Sequence, residues 1–196
     1  MDIVIIDYGA GNIQSIRFAF ERLGYSPELS SDARRIERAD RVVFPGVGEA
    51  SSAMAKLRHS GLDRLIPGLE QPVLGICLGM QLMCRHSQEG DTRGLGIFDT
   101  EVMRFPERLK VPQIGWNQLS RLKSPIFSRV EEGAYVYLVH SFYAPLCPET
   151  AGVCDYGFPY SAALVKDNFY GLQFHPEKSS RAGRLMLQNF IELPGP

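Results

Sequence analysis

The sequence of 196 residues has no excess of charge of either sign: 21 lysines and arginines stand against 22 aspartates and glutamates, a net charge of −1. Without a basic stripe or tail, nucleic acid and anionic membrane are poor partners. No apolar stretch approaches the roughly 18 residues of a membrane span. The opening segment Met1–Asn12 lacks the basic flank of a signal peptide, and its apolar run stops at Asp7. Cysteine is scarce. Cys77, Cys84, Cys147 and Cys154 form no disulfide framework, which fits a reducing, cytoplasmic location. Cys147 and Cys154 have no histidine nearby with which to hold zinc. Repeats, linkers and low-complexity segments are also missing. What is present is 44% hydrophobic residues, enough to bury one full core, so one domain over 1–196 is expected.

The first half alternates strand and helix. Ile3 to Ile6 is a continuous apolar run bounded by Asp7 and Gly9, the pattern of a strand buried on both faces. Asn12 is placed to cap a helix with apolar positions Ile13, Ile16, Phe20 and Leu23, stopped by Gly24. Arg41 to Phe44 reads as a second core strand ended by Pro45-Gly46. Ala50 to His59 reads as a helix with Gly61 behind it. Pro72 to Ile76 is a third strand, running into a helix from about Met80 to His86. The second half consists of short runs rich in aromatic and β-branched residues: Glu101 to Phe105, Tyr135 to Tyr143, Ser161 to Val165 and Tyr170 to Phe174. Lys166-Asp167-Asn168 reads as a hairpin turn, and Arg181 to Leu193 as a closing amphipathic helix. The expected fold is α/β, a mainly parallel open sheet flanked by helices and extended by antiparallel strands in the C-terminal half.

Gly75-Ile76-Cys77-Leu78-Gly79 has the form G-x-C-x-G at a strand-to-helix junction, the cysteine counterpart of the nucleophile elbow. The turn is sharp and its neighbours must be small. The thiol then projects above the carboxyl ends of the strands, beside a helix N-terminus whose free N–H groups favour a thiolate and an oxyanion. A buried, inert cysteine is the ordinary alternative; the flanking glycines and the junction argue against it. Cys84 lacks that setting and is assigned to the core or a helix surface.

Gln173-Phe174-His175-Pro176-Glu177 follows a strand. Proline keeps the preceding residue extended, and residues i and i+2 of an extended segment share a side. His175 and Glu177 can therefore lie together, the carboxylate orienting the imidazole, and with Cys77 they make a triad by role. His59 and His86 end helices, where a surface role suffices. His140, inside Leu138 to Phe142, is open to a structural or a functional reading. Pro45-Gly46-Val47-Gly48 follows a core strand, and its glycines allow close approach to a ligand or a change of backbone conformation; a plain tight turn is the alternative. Gly9-Ala10-Gly11 fails the dinucleotide fingerprint, because Gln14 stands at the third glycine position. No cofactor is expected.

Taken in order and spacing, Pro45-Gly46-Val47-Gly48, Gly75 to Gln81 and His175-Pro176-Glu177 resemble the class I, or triad, glutamine amidotransferases. Asp7 to Asn12, Gln113 to Asn117, His140 to Tyr143 and His175 to Ser179 are similar to one branch of that family, the glutaminase subunits of imidazole glycerol phosphate synthases. The resemblance covers essentially the whole chain, is freest in Arg85 to Phe105, which reads as surface, and departs at no triad position. It implies that Cys77 attacks the side-chain amide of L-glutamine, that His175, held by Glu177, protonates the departing ammonia, and that water hydrolyses the γ-glutamyl thioester. It implies an oxyanion hole from the N–H groups of Val47 and Leu78, substrate contacts from Gly46, Gly48, Gln81, His140, Ser141 and Phe142, and a docking face of Asn12, Trp116, Tyr137 and Lys178. The implied partner is a cyclase subunit, a (β/α)8 barrel in a heterodimer. It uses ammonia and a phosphorylated ribulosyl ribonucleotide to make imidazole glycerol phosphate and an aminoimidazole carboxamide ribotide in histidine biosynthesis. The residues agree, since a chain without phosphate loop or cofactor motif has no means of holding an ammonia acceptor itself.

Three other readings are weighed against this one. A cysteine peptidase or deglycase on a similar sheet usually has its histidine soon after the cysteine, whereas here the next is His86. A flavodoxin-like binding module has no need of a triad. A glutaminase serving another acceptor, such as a pyridoxal phosphate synthase, shares every motif of the triad.

Overall fold

The computed structural model describes residues 1–9 and 13–195. In chain order the elements are β1 (Ile3–Ile6), α1 (Ile13–Glu21), β2 (Glu28–Ser30), α2 (Ala33–Glu37), β3 (Arg41–Phe44), α3 (Ala50–Ser60), α4 (Leu62–Leu65), β4 (Val73–Ile76), α5 (Leu78–Met83), β5 (Cys84–Ser87), β6 (Thr92–Arg93), β7 (Phe98–Arg104), β8 (Gln113–Gln118), β9 (Tyr135–His140), β10 (Phe142–Tyr143), β11 (Thr150–Asp155), β12 (Pro159–Lys166), β13 (Phe169–Leu172) and α6 (Ser180–Glu192). A seven-stranded sheet has the order β11-β12-β13-β4-β3-β1-β2. From β2 through β13 its pairs are parallel, and β12 and β11 extend it antiparallel. This is the mixed α/β sheet expected from the change of pattern between the two halves of the chain.

The apolar runs explain why the central strands sit where they do. All four residues of β1 are buried; Ile3 and Ile5 join the apolar cluster on one face of the sheet, and Val4 and Ile6 the cluster on the other. Such a strand has no face to give to water, so it belongs in the middle of a sheet covered by helices. The buried Arg41 ties β3 to α6: its guanidinium donates to the carbonyls of Phe190 at 3.2 Å and Ile191 at 3.1 Å, and to that of Leu193, filling acceptors left open at the helix end. Gly61 closes α3 in the left-handed conformation at φ +74°.

Several expectations need correction. The helix after Cys77 ends at Met83, not near His86, and Cys84–Ser87 is strand β5. Pairing decides this: β5 lies between β6 and β7 in a four-stranded sheet of order β10-β7-β5-β6. His86 thus sits on a strand, 2.9 Å from Asp91, rather than at a helix end. Arg85 to Phe105 is not simply surface. Phe98 and Val102 have no exposed area and Phe105 is 2% exposed, because β7 alternates inward and outward residues and plugs the core between the two sheets. Cys84 is a core residue. Tyr135 to Tyr143 is two strands with a break at Ser141. The capping role expected of Asn12 lies outside the described residues. The short edge strand β2, the helix α2 and the strands β8 and β11 carry no strong apolar pattern and were not anticipated.

Candidate active site

Parallel pairing brings the ends of β3, β4 and β13 to one edge. Phe44 faces Gly75, and Leu172 faces Ile76. The next residues along each strand, Pro45, Cys77 and Gln173, therefore emerge together. At Cys77 the backbone turns at φ +54° and ψ −111°, a conformation an L-residue holds only when its surroundings impose it. The glycines impose it. A Cβ on Gly79 would penetrate the carbonyl of Phe44, and one on Gly46 would lie 2.5 Å from the backbone nitrogen of Gly79. The elbow and the Pro45–Gly48 loop are packed backbone to backbone, which only glycine permits.

The cleft at this edge, about 390 Å³, is lined by residues that include Val47, Gly48, Cys77, Leu78, Gln81 and His175. His140, Ser141, Phe142, Lys178, Glu89 and Pro112 complete much of its wall. Of the expected substrate contacts, only Gly46 is absent from the lining; it lies beneath, against Leu78 and Gly79. His175 Nδ1 is 2.8 Å from Glu177 Oε1. The histidine side chain is 8% exposed and the glutamate side chain 0%. Ser179 fixes this pair: its hydroxyl donates to His175 O at 2.6 Å and accepts from Tyr137 N at 3.0 Å. Burial opposes the imidazolium, but hydrogen bonds and charge from Cys77 and Glu177 outweigh it and raise His175 to about 10. A sulfur, an imidazole and a buried carboxylate are thus gathered at one cleft, a set of groups able to attack a carbonyl carbon and protonate an amine leaving group.

His140 settles into a structural position that also faces the cleft. Nδ1 contacts Phe142 O at 2.7 Å and Nε2 contacts Gln113 Oε1 at 3.0 Å. Burial, only partly offset by the Phe142 carbonyl, lowers it to about 4, so the ring is neutral at physiological pH. Gln81 donates from Nε2 to Phe142 O at 3.0 Å and to Gln173 Oε1 at 2.8 Å. Glu89 in the wall and the buried Gln173 beside Cys77 are residues that sequence reasoning missed. Glu89 brings a carboxylate to the cleft, its Oε2 accepting from Ala50 N at 2.9 Å. Gln173 is wholly buried beside Cys77. Glu89 lies in the stretch read as surface, where no periodicity marked it; Gln173 could have been found by counting one residue beyond each of two adjacent strands.

Beside the cleft, β8 and β9 form a two-stranded ribbon. Trp116 is 53% exposed and stacks edge-on against Tyr137, with ring centroids 5.8 Å apart. Lys178 Nζ is 5.9 Å from the centroid of the Tyr137 ring. Three of the four expected docking residues are therefore gathered on one patch, and the fourth, Asn12, is outside the described residues. Among the described residues, no helix is long and apolar enough to cross a membrane.

Comparison with known proteins agrees with this geometry. The family described as glutamine amidotransferase class-I matches residues 4–193. An imidazole glycerol phosphate synthase subunit HisH from Bacteroides fragilis is 54% identical over 196 residues, covering 98% of this chain and 100% of that protein. The protein of the same name from Shewanella loihica is 46% identical over 203 residues, covering 98% of this chain and 91% of that one. Among solved structures, a chain of PurLQS from Thermotoga maritima superposes with a TM-score of 0.74 at 15% identity, covering 97% of each chain; it shares the fold.

Proposed function

This chain belongs to the class-I glutamine amidotransferases, and we propose that it is the glutaminase subunit of an imidazole glycerol phosphate synthase, with Cys77, His175 and Glu177 as its catalytic triad. The thiolate of Cys77 attacks the side-chain amide carbon of glutamine, forming a C–S bond. The developing oxyanion is received by the N–H groups of Val47 and Leu78. His175 donates its proton to the departing nitrogen, the C–N bond breaks, and ammonia leaves. Water, deprotonated by the now neutral His175, then attacks the thioester; the C–S bond breaks, glutamate departs, and the Cys77 thiolate and protonated His175 are restored. Glu177 keeps the imidazole in one tautomer throughout.

The wall of the cleft suits the rest of the substrate. Gln81, Gly48 and the His140-Ser141-Phe142 segment enclose the amino acid. Glu89 supplies the negative charge that an α-ammonium group requires. The ammonia goes to a cyclase subunit, a (β/α)8 barrel seated on the ribbon around Trp116, Tyr137 and Lys178, where the ribonucleotide acceptor is bound.

One observation carries this reading: in the cleft that Cys77 lines, the imidazole of His175 has its Nδ1 2.8 Å from the fully buried side chain of Glu177. The test is glutamate release with and without the cyclase and its ribonucleotide ligand. The chain alone should be slow and the loaded complex fast, and Cys77→Ala should abolish release in both. Glu177→Gln should lose about 10- to 100-fold and His175→Ala about 10³-fold or more, since orienting a base contributes less than proton transfer. Substantial glutamate release by Cys77→Ala removes the nucleophile assignment. Stimulation by another synthase and not by the cyclase redirects the ammonia to a different acceptor.

A further inference from the structure

We propose that Gln173 is a further catalytic residue: its side-chain N–H donates to the sulfur of Cys77 and holds it as a thiolate ready to attack. The proposal rests on the reading of Cys77 as the nucleophile of a glutaminase and adds a group to that same site.

The sheet register puts the two residues together. β13 and β4 are parallel, with Leu172 opposite Ile76. Cys77 and Gln173 are the next residues of their strands, and the ends are tied by Cys77 N donating to Leu172 O at 2.8 Å. On its other side, Gln173 N donates to Ala162 O at 2.9 Å. The backbone of Gln173 is therefore fixed from both neighbours, and its side chain has no exposed surface. Its Nε2 lies 3.8 Å from Cys77 Sγ, within reach of an N–H···S contact to a large, soft atom.

A carboxamide can present either end, so the orientation has to be argued. Gln81 decides it. The same Gln81 nitrogen lies 3.0 Å from the carbonyl of Phe142 and 2.8 Å from the Gln173 side chain. A backbone carbonyl only accepts, so the Gln81 atom facing it is the nitrogen. That nitrogen must find an oxygen on Gln173, which turns the Gln173 nitrogen toward the sulfur. Flipping Gln173 alone would set nitrogen against nitrogen at one end and leave the sulfur facing an acceptor at the other.

The sulfur has need of such a donor. Its residue is 8% exposed, so water solvates little of it. The carbonyl of Val139 stands 3.8 Å from Sγ and presents negative charge to it. Glu89 and Lys178 line the same cleft. On the favourable side are the His175 imidazolium, itself bound to Glu177, and the Gln173 amide. A carboxamide cannot be titrated, so it keeps donating whatever the protonation state of His175.

The alkylation arm of the test needs no glutamine, so it fails or succeeds independently of the glutaminase reading. The full-length chain is alkylated with iodoacetamide across a range of pH, with Cys77→Ala as the background, and glutamate release is measured in parallel. Gln173→Met keeps length and volume but has no donor. Gln173→Glu can still accept from Gln81 but points an oxygen at the sulfur. Both should raise the pH at half-maximal alkylation, by about one unit for Met and more for Glu, the size expected of one hydrogen bond to a charged atom. kcat should drop about tenfold or more with KM little changed. A packing role alone would change thermal stability and kcat without moving the alkylation profile, and folded variants with the wild-type profile overturn the proposal. A second measurement uses the unchanged chain. The side-chain amide resonance of Gln173 should shift in step with thiolate absorbance, and Cys77→Ala should abolish that shift. An amide signal indifferent to ionisation of Cys77 overturns the proposal even if neither variant folds.

Discussion

His140 shows what a single buried side chain costs and contributes. Burial lowers its proton affinity, the Phe142 carbonyl restores part of it, and the nearby His175 charge lowers it again, leaving it near 4 against 6.5 in an unfolded chain. The sign of the consequence follows. Below pH 6.5 the unfolded chain gains a proton at this residue that the folded chain refuses until about pH 4. Its stabilising contribution is complete above pH 6.5 and is lost as the pH falls toward 4, at up to about 1.4 kcal/mol per pH unit. Thermal denaturation between pH 7 and pH 4 should therefore steepen on the acid side in the natural chain. His140→Gln, which keeps a polar group for Phe142 O, should flatten that limb; an unchanged acid limb would locate the acid sensitivity elsewhere. The residue read from sequence as either structural or functional is hydrogen-bonded in the core, and its ring also lines the cleft.

The Pro45–Gly48 segment acts as an element, pinned at both ends. The Tyr8 hydroxyl, buried, donates to Pro45 O at 2.8 Å. Glu49 caps α3 by accepting from Ser51 and Ser52 N–H groups at 3.3 and 3.0 Å. Between them, Gly48 sits at φ +98°, and Val47 is 41% exposed at the mouth of the cleft. A rotation of the peptide that carries the Val47 N–H would be confined to this short stretch and would add or remove one oxyanion donor, worth about 3–4 kcal/mol or a rate factor of about 10²–10³. Val47→Pro deletes that N–H. Glutamine binding should persist, thioester formation should slow by about that factor, and stimulation by the loaded cyclase should vanish. A folded Val47→Pro chain stimulated as fully as the natural one would place the gate elsewhere. This loop, the elbow and the His175-Pro176-Glu177 segment were legible in the sequence because each is a local pattern: glycines where backbones touch, or residues i and i+2 on one side of an extended segment. The core strands were legible as unbroken apolar runs. The conversion of Cys84–Ser87 from helix to strand was not, because it is decided by pairing with β7, which local propensity cannot report. Glu89 was hidden for the same reason, its place in the cleft being set by that small sheet. Gln173 needed the register of β13 against β4.

At the scale of the whole molecule, the β8–β9 ribbon turns one face to the core and the cleft and the other to solvent. Its inner residues Val136, Leu138 and His140 are buried, and the carbonyl of Val139 reaches the Cys77 sulfur at 3.8 Å. Its outer cross-strand pairs are Ile114 with Val139 and Trp116 with Tyr137, with Tyr135 beyond them. Ile114, Trp116 and Tyr135 are 63%, 53% and 56% exposed, a row of apolar surface on a thin element, which is the character of a surface meant to be covered. Lys178 bridges the two sides, lining the cleft while lying over Tyr137. A cyclase seated on this face would press on the ribbon whose strand β9 carries both His140 and the Val139 carbonyl, so docking and glutamine hydrolysis would share one mechanical element. Two variants separate those roles. Cys77→Ala should bind the cyclase with unchanged affinity and make no product from glutamine, yet the complex should make product when ammonium salts are supplied. Trp116→Ala should leave the isolated chain folded, since half the ring is already in water. It should weaken association by about tenfold or more, as loss of a central aromatic anchor does, and reduce glutamine-dependent synthesis while ammonium-dependent synthesis by the cyclase continues. A cooperative loss of stability in isolated Trp116→Ala would show the ring to be part of the core. Equal loss of the glutamine- and ammonium-dependent reactions would show that the ribbon supports the cyclase's own chemistry and not only the delivery of ammonia.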